Sequence, residues 1–141
     1  MDVLFLIGRI LYVALFVFSG VLVHIVGRKE GVAYAKAYNA PLPELLVPAS
    51  GVAAIAGGAM IGFGVLADLG AILVAAFLIG ITPIMHAFWN EKDAQTRQMQ
   101  TAMFMKNLAL LGGAIVVFYL YNQLQGDAGL SLTDPLFGRS D

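Results

Sequence analysis

Four long apolar runs dominate the chain, each near the ~20 residues that a helix needs to cross a hydrocarbon core. They cover about residues 3–27, 47–66, 69–89 and 102–124. Arg9 and His24 interrupt the first, the second holds no charge, and Lys106 and Asn107 sit near the start of the fourth. A bilayer offers no water to free backbone N–H and C=O groups, so helices are the economical way across. Period-two alternation is absent, which argues against a β-barrel. Composition agrees: 60% of residues are hydrophobic and 12% charged, where a soluble domain carries about a quarter charged. Mean hydropathy is +0.83. The sequence therefore predicts an all-α integral membrane bundle of four transmembrane helices over residues 1–124. An exposed C-terminal tail, 125–141, rich in Gly, Asp and Ser, follows it.

The first run is read as a retained anchor rather than a signal peptide. Asp2 stands where a basic region is expected, and no small-residue cleavage site closes the run. Net charge is −1 with no basic stripe, which excludes nucleic acid as a partner. Cysteine is absent. Thiolate metal sites, iron–sulfur ligation and thiol chemistry by the chain itself are thereby excluded. Redox chemistry needs a bound cofactor or a partner.

The connections differ in kind. Ala67 and Asp68 form a tight hairpin between the second and third runs, with Asp68 placed to cap the third helix. In the first connection, Arg28 to Leu46, residues Glu30 to Tyr38 suit a short interfacial helix with Val32, Ala33, Tyr34 and Ala37 toward lipid. Pro41, Pro43 and Pro48 then break the chain before the second span. Asn90 to Thr101 reads as a polar loop. Arg28, Lys29, Lys36, Lys92 and Arg97 fall in the first and third connections, against Arg139 and the intramembrane Arg9 on the other side. The positive-inside bias puts both longer loops in the cytoplasm and both termini outside, as in a bacterial inner membrane.

Packing cues are weaker. Ala54, Gly58 and Gly62 share one face of the second helix, widened by Gly57 and Gly64, and Gly112-Gly113 offers a contact on the fourth. Pro83 denies the Ile79 carbonyl its donor and predicts a kink. On the first helix Arg9, Phe16, Gly20 and Gly27 share a stripe facing the other helices, with His24 to its side.

Ionisable residues inside a membrane are functional candidates by default. His24, Thr82, His86, Asn90 and Lys106 lie at one end of their helices and form a candidate cofactor-binding pocket if their faces point inward. Arg9 lies at the opposite end, near Asp68 in depth. Plainer roles compete: Arg9 paired with Asp68 or reaching headgroups, Lys106 reaching lipid phosphate, and the histidines bonding across the bundle. Two histidines cannot complete a zinc site without loop carboxylates such as Glu91 or Asp93. Haem between them is the weaker cofactor reading, and a quinone headgroup hydrogen-bonded by His or Lys the more compatible one. No nucleophile–base pair, phosphate loop or paired carboxylate signals an enzyme.

An ordered set of motifs runs along nearly the whole chain. It comprises Gly8-Arg9 with Phe16 and Ser19-Gly20, Ala40-Pro41-Leu42-Pro43, Pro48-Ala49-Ser50-Gly51, and Gly57-Gly58-Ala59. His86-Ala87-Phe88-Trp89-Asn90, Lys106-Asn107-Leu108-Ala109-Leu110 and Gly129-Leu130-Ser131-Leu132 complete it. The chain thus resembles the DoxX family of small four-helix membrane proteins. The resemblance implies a component of a redox system, since some members are linked to thiosulfate–quinone oxidoreduction or quinol oxidation, and another to a complex handling oxidative stress. It also carries Arg9, His86, Asn90 and Lys106 over as family-like polar positions; His24 is not carried over. Together these readings point to an accessory, quinone-proximal subunit of a membrane redox complex, with other membrane subunits and the lipid bilayer as partners. The alternatives are an autonomous oxidoreductase using quinone or haem, and a small transporter or assembly factor.

Overall fold

The computed structural model describes residues 2–124 and 129–137. Helix α1, Asp2–Ser19, continues as a π-helical stretch, Gly20–Val26. The short α2, Arg28–Ala37, precedes α3, Pro43–Phe63, and α4, Ala67–Met85. A 3₁₀ turn, Phe88–Asn90, then leads into α5, Ala94–Leu124. Four of these segments are long and apolar enough to cross a membrane: Asp2–Val26, Pro43–Phe63, Ala67–Asn90 and Ala94–Leu124. The predicted all-α membrane bundle is therefore observed, with α2 as the short helix in its first connection.

Close backbone approach organises the packing, because lipid supplies no hydrophobic drive between helices. A Cβ at Gly58 would meet Val17 and Phe16 at 3.2 and 3.4 Å, and one at Gly62 would meet Val13 at 3.2 Å. The small-residue face of α3 is thus occupied by α1 of the same chain. Gly57 faces α4, where a Cβ would lie 2.8 Å from the Gly70 carbonyl. Gly113 lets Tyr12 lie against α5, and the Tyr12 hydroxyl donates to the Leu110 carbonyl at 2.6 Å. The core between them is Val13, Phe16, Ala54, Ile61, Val74, Leu78 and Ala114.

Several boundaries differ from the sequence reading for local reasons. Pro43 and Pro48 do not break the chain before the second span; Pro43 starts α3 and Pro48 lies within it. A proline in the first turn sacrifices only an orphan N–H. Pro48 leaves the Glu44 carbonyl without its helical donor, and the Arg28 guanidinium donates to that oxygen at 3.1 Å. The hairpin turns at residues 64–66 rather than at Ala67 and Asp68, with Gly64 and Leu66 left-handed at φ 65° and 44°. Asp68 sits in the first turn of α4, where its charge suits the helix dipole. The stretch read as a loop to Thr101 is helical from Ala94. Asp93 caps it by accepting from the Thr96 N–H and hydroxyl, both at 2.8 Å. Those two bonds hold the Asp93 carboxyl below its ordinary pKa. At 31 residues α5 is about 46 Å long, so it reaches beyond a ~30 Å core.

Part of the tail returns to the bundle. Residues 129–137 are largely exposed, yet the Leu132 and Thr133 N–H groups donate to the Gly64 carbonyl at 3.0 and 3.1 Å. The Leu66 N–H donates to the Thr133 hydroxyl at 2.8 Å. Arg139, counted in the orientation argument, lies outside the described residues, as do 125–128.

Candidate functional site

Polar groups gather at both ends of the bundle, and the two clusters differ in character. At the first, Arg9 is 3% exposed and Asp68 is fully buried. They do not form an ion pair; each bonds neutral groups instead. Arg9 donates to the Tyr121 hydroxyl, to Ser131 Oγ at 2.9 Å and to the Leu130 carbonyl at 2.9 Å. Its guanidinium also lies 5.3 Å from the centre of the Phe5 ring. Among the described residues, Arg9 Nε is buried without a hydrogen-bond partner. Asp68 accepts from the Leu69 N–H at 2.9 Å and the Phe137 N–H at 2.6 Å. This end is closed: Arg9 and Asp68 clasp the returning tail instead of reaching headgroups.

The opposite end is open. A cavity of about 990 Å³ lies between the π-helical stretch, α2, the start of α3 and the end of α4. Leu22, Val23, Leu46, Phe77, Ile81 and Ile84 give it apolar walls, while His24 of the π-helical stretch and His86, just past the end of α4, also line it. The π winding brings His24 here. Its wider turn is a local departure that recurs at functional sites, and His24 packs its Cβ directly over Gly51 of α3. Phe77 meets the His24 ring edge-on, with centres 5.8 Å apart.

Each imidazole is fixed through Nδ1. His24 Nδ1 bonds the Val47 carbonyl at 2.9 Å and Ser50 Oγ at 3.1 Å. His86 Nδ1 bonds Gln100 Oε1 at 2.8 Å. Gln100, 1% exposed, is the hub of this end. Its amide nitrogen donates to the Tyr34 and Tyr38 hydroxyls at 3.1 and 2.7 Å. Tyr34 hydrogen-bonds Tyr38 in turn, and this bond is the main cause pushing the Tyr38 hydroxyl up to about 12. The tyrosine therefore stays protonated. Gln100→Leu should strip His86 Nδ1 of its partner and both tyrosine hydroxyls of their amide donor, at about 1–3 kcal/mol in all. A lower thermal midpoint in detergent, with Gln100→Glu closer to wild type, is the expected readout.

The other candidates separate from the histidines. Thr82 is buried against α5, its hydroxyl accepting from Asn107 Nδ2 at 3.2 Å. Lys106 is exposed, with its ammonium 3.6 Å from the Met103 sulfur. Asn90 is exposed in the 3₁₀ turn. The five-residue pocket expected from the sequence thus reduces to His24 and His86. Ser50, Gln100, Tyr34 and the Val47 carbonyl were not anticipated there. One signal existed for Gln100: Gln100, Asn107, Ala114 and Tyr121, the buried residues of α5, repeat every seven positions. A seven-residue repeat marks one face of a packed helix.

Four spanning helices, with an apolar cavity carrying two imidazoles at one end, define a small four-helix integral membrane protein. Within that class the DoxX family model matches residues 4–87, more than half of the chain, and the chain belongs to the DoxX family. Arg9, His24, Thr82 and His86 fall inside the match, while Asn90, Gln100 and Lys106 lie beyond it. No curated protein and no solved structure matches the chain.

Proposed function

We propose that the protein is a quinone-proximal accessory subunit of a membrane redox complex, holding an amphiphilic headgroup between His24 and His86. The observation that carries this reading is the cavity itself. Its volume of about 990 Å³ falls within the ~300–1,000 Å³ of small-molecule sites, and few convergent polar groups on apolar walls suit an amphiphile. The lining fits a ring that carries oxygens at two positions: two imidazoles to pair with them, and aliphatic side chains for its substituents and tail. When bound, a quinone supplies two-electron chemistry; the chain's own residues bind and orient it. The redox assignment draws on the resemblance to DoxX proteins, and the absence of cysteine leaves thiol chemistry to a partner.

The proposal places the histidine end at the cytoplasmic face of a bacterial inner membrane. Arg28, Lys29, Lys36, Lys92 and Arg97 all lie at that end, as the positive-inside bias favours. Purification in mild detergent, followed by mass spectrometry of co-purifying proteins and lipids, tests the reading. A quinone and one or more membrane partners are expected. A clean monomer or homo-oligomer carrying neither overturns it. Two imidazoles on one cavity also favour, as a second reading, an autonomous haem-binding oxidoreductase. A Soret band lost in His24→Ala or His86→Ala would select it.

A further inference from the structure

The protonation pattern of the two histidines says which kind of headgroup this cavity can hold. A carbonyl oxygen only accepts hydrogen bonds, so the proton between His24 and Val47 sits on Nδ1. Ser50 gives its own proton to the same carbonyl at 2.9 Å and so accepts from the ring as well. At His86 the logic runs through Gln100. In the structure its amide nitrogen faces the two tyrosine hydroxyls and its Oε1, an acceptor, faces the imidazole. His86 Nδ1 therefore also carries the proton. A neutral imidazole protonated at Nδ1 presents a bare lone pair at Nε2.

Neither Nε2 has a hydrogen-bond partner among the described residues, and neither is sealed from its surroundings as Arg9 Nε is. Both rings line the cavity. Elsewhere on the wall Pro41 and Pro43 have no N–H and Ser50 has committed its proton to Val47, while the Tyr34 hydroxyl already bonds Gln100 and Tyr38.

We infer that the site selects a headgroup that donates hydrogen bonds from two positions, so that it takes a quinol in preference to the quinone. This rests on the quinone-site reading above. A quinone carbonyl would face a lone pair at each histidine, whereas each quinol hydroxyl has a proton to give. A site built to pair with a hydroxyl rejects an analogue lacking it, because its own polar groups are left bare.

The test uses the wild-type protein in nanodiscs with three probes of one shape: decylubiquinol, decylubiquinone and the dimethyl ether of the quinol. Affinities are measured anaerobically by calorimetry. The quinol should bind at least about tenfold more tightly than either other probe. With only two histidines in the chain, long-range ¹H–¹⁵N spectra of the imidazoles should show the Nδ1–H tautomer for both. Quinone or ether binding as tightly as quinol overturns the donor preference while leaving the quinone site standing. An Nε2–H tautomer at either ring also overturns it. Binding of none of the three removes both the preference and the quinone site.

Discussion

Gly51→Val should dismantle the histidine end of the bundle. The Cβ of any other residue at 51 would occupy the position of His24 Cβ, and the Gly20 carbonyl lies 3.4 Å away on the same side. A Cβ is anchored to its backbone, so relief requires the π-helical stretch to lift away from α3. Overpacking of this kind costs about 1–3 kcal/mol where side chains can yield, and here they cannot. Gly51→Val should therefore sit at or above the top of that range. It should lower the thermal midpoint in detergent and weaken quinol binding by at least tenfold, because the cavity wall moves with His24. Gly112→Val is the control. A Cβ at 112 meets nothing within 4 Å, so stability should stay near wild type.

Arg9→Ala should release the tail. The substitution removes three hydrogen bonds and the contact with Phe5, and it opens a void beneath residues 130 and 131. Hydrogen bonds from a charged donor contribute about 1.5–3 kcal/mol each, with strong non-additivity. A total loss of about 2–4 kcal/mol is expected. Arg9→Lys should recover little of it, since one ammonium cannot reproduce the planar fork that reaches Tyr121, Ser131 and Leu130 together. Hydrogen exchange at the Leu132, Thr133 and Phe137 amides should accelerate in Arg9→Ala while the middle of α3 stays protected. Unchanged protection at these amides would show that Gly64, Leu66 and Asp68 suffice to hold the tail.

The spans were legible because a bilayer imposes a length and a hydropathy that few soluble helices share. Their packing was legible where small residues repeat every four positions, as at Ala54, Gly58 and Gly62. The ends were harder. Pro48 reads as a breaker in isolation, and only Arg28 folding back onto the Glu44 carbonyl makes it tolerable. The stretch from Gln95 to Thr101 is polar because it extends α5 past the apolar layer, and polarity alone reads as loop. The candidate site divided for a geometric reason. Thr82 and His86 are four residues apart, yet α4 ends at Met85 and His86 leaves the helix at φ −128°. Thr82 thus faces Asn107 on α5 while His86 turns toward Gln100 and the cavity. His24 required the π winding, which nothing in its local sequence announces. Arg9 and Asp68 both hold residues 129–137, through Leu130, Ser131 and Phe137, a segment with no hydropathy signal.

Gly80 allows the binding reading to be separated from folding. It lines the cavity, and a Cβ there meets nothing within 4 Å, so Gly80→Leu should fill space without straining the bundle. The central claim is that an amphiphile's headgroup sits between His24 and His86. Its most direct measurement is photolabelling of the wild type in nanodiscs with an azido-ubiquinone, with adducts mapped by peptide mass spectrometry. Labelling should concentrate on residues 22–35 and 76–86 and fall sharply in Gly80→Leu, whose thermal midpoint should match wild type. Labelling spread along the lipid-facing side of α5, unchanged by Gly80→Leu, would contradict the account.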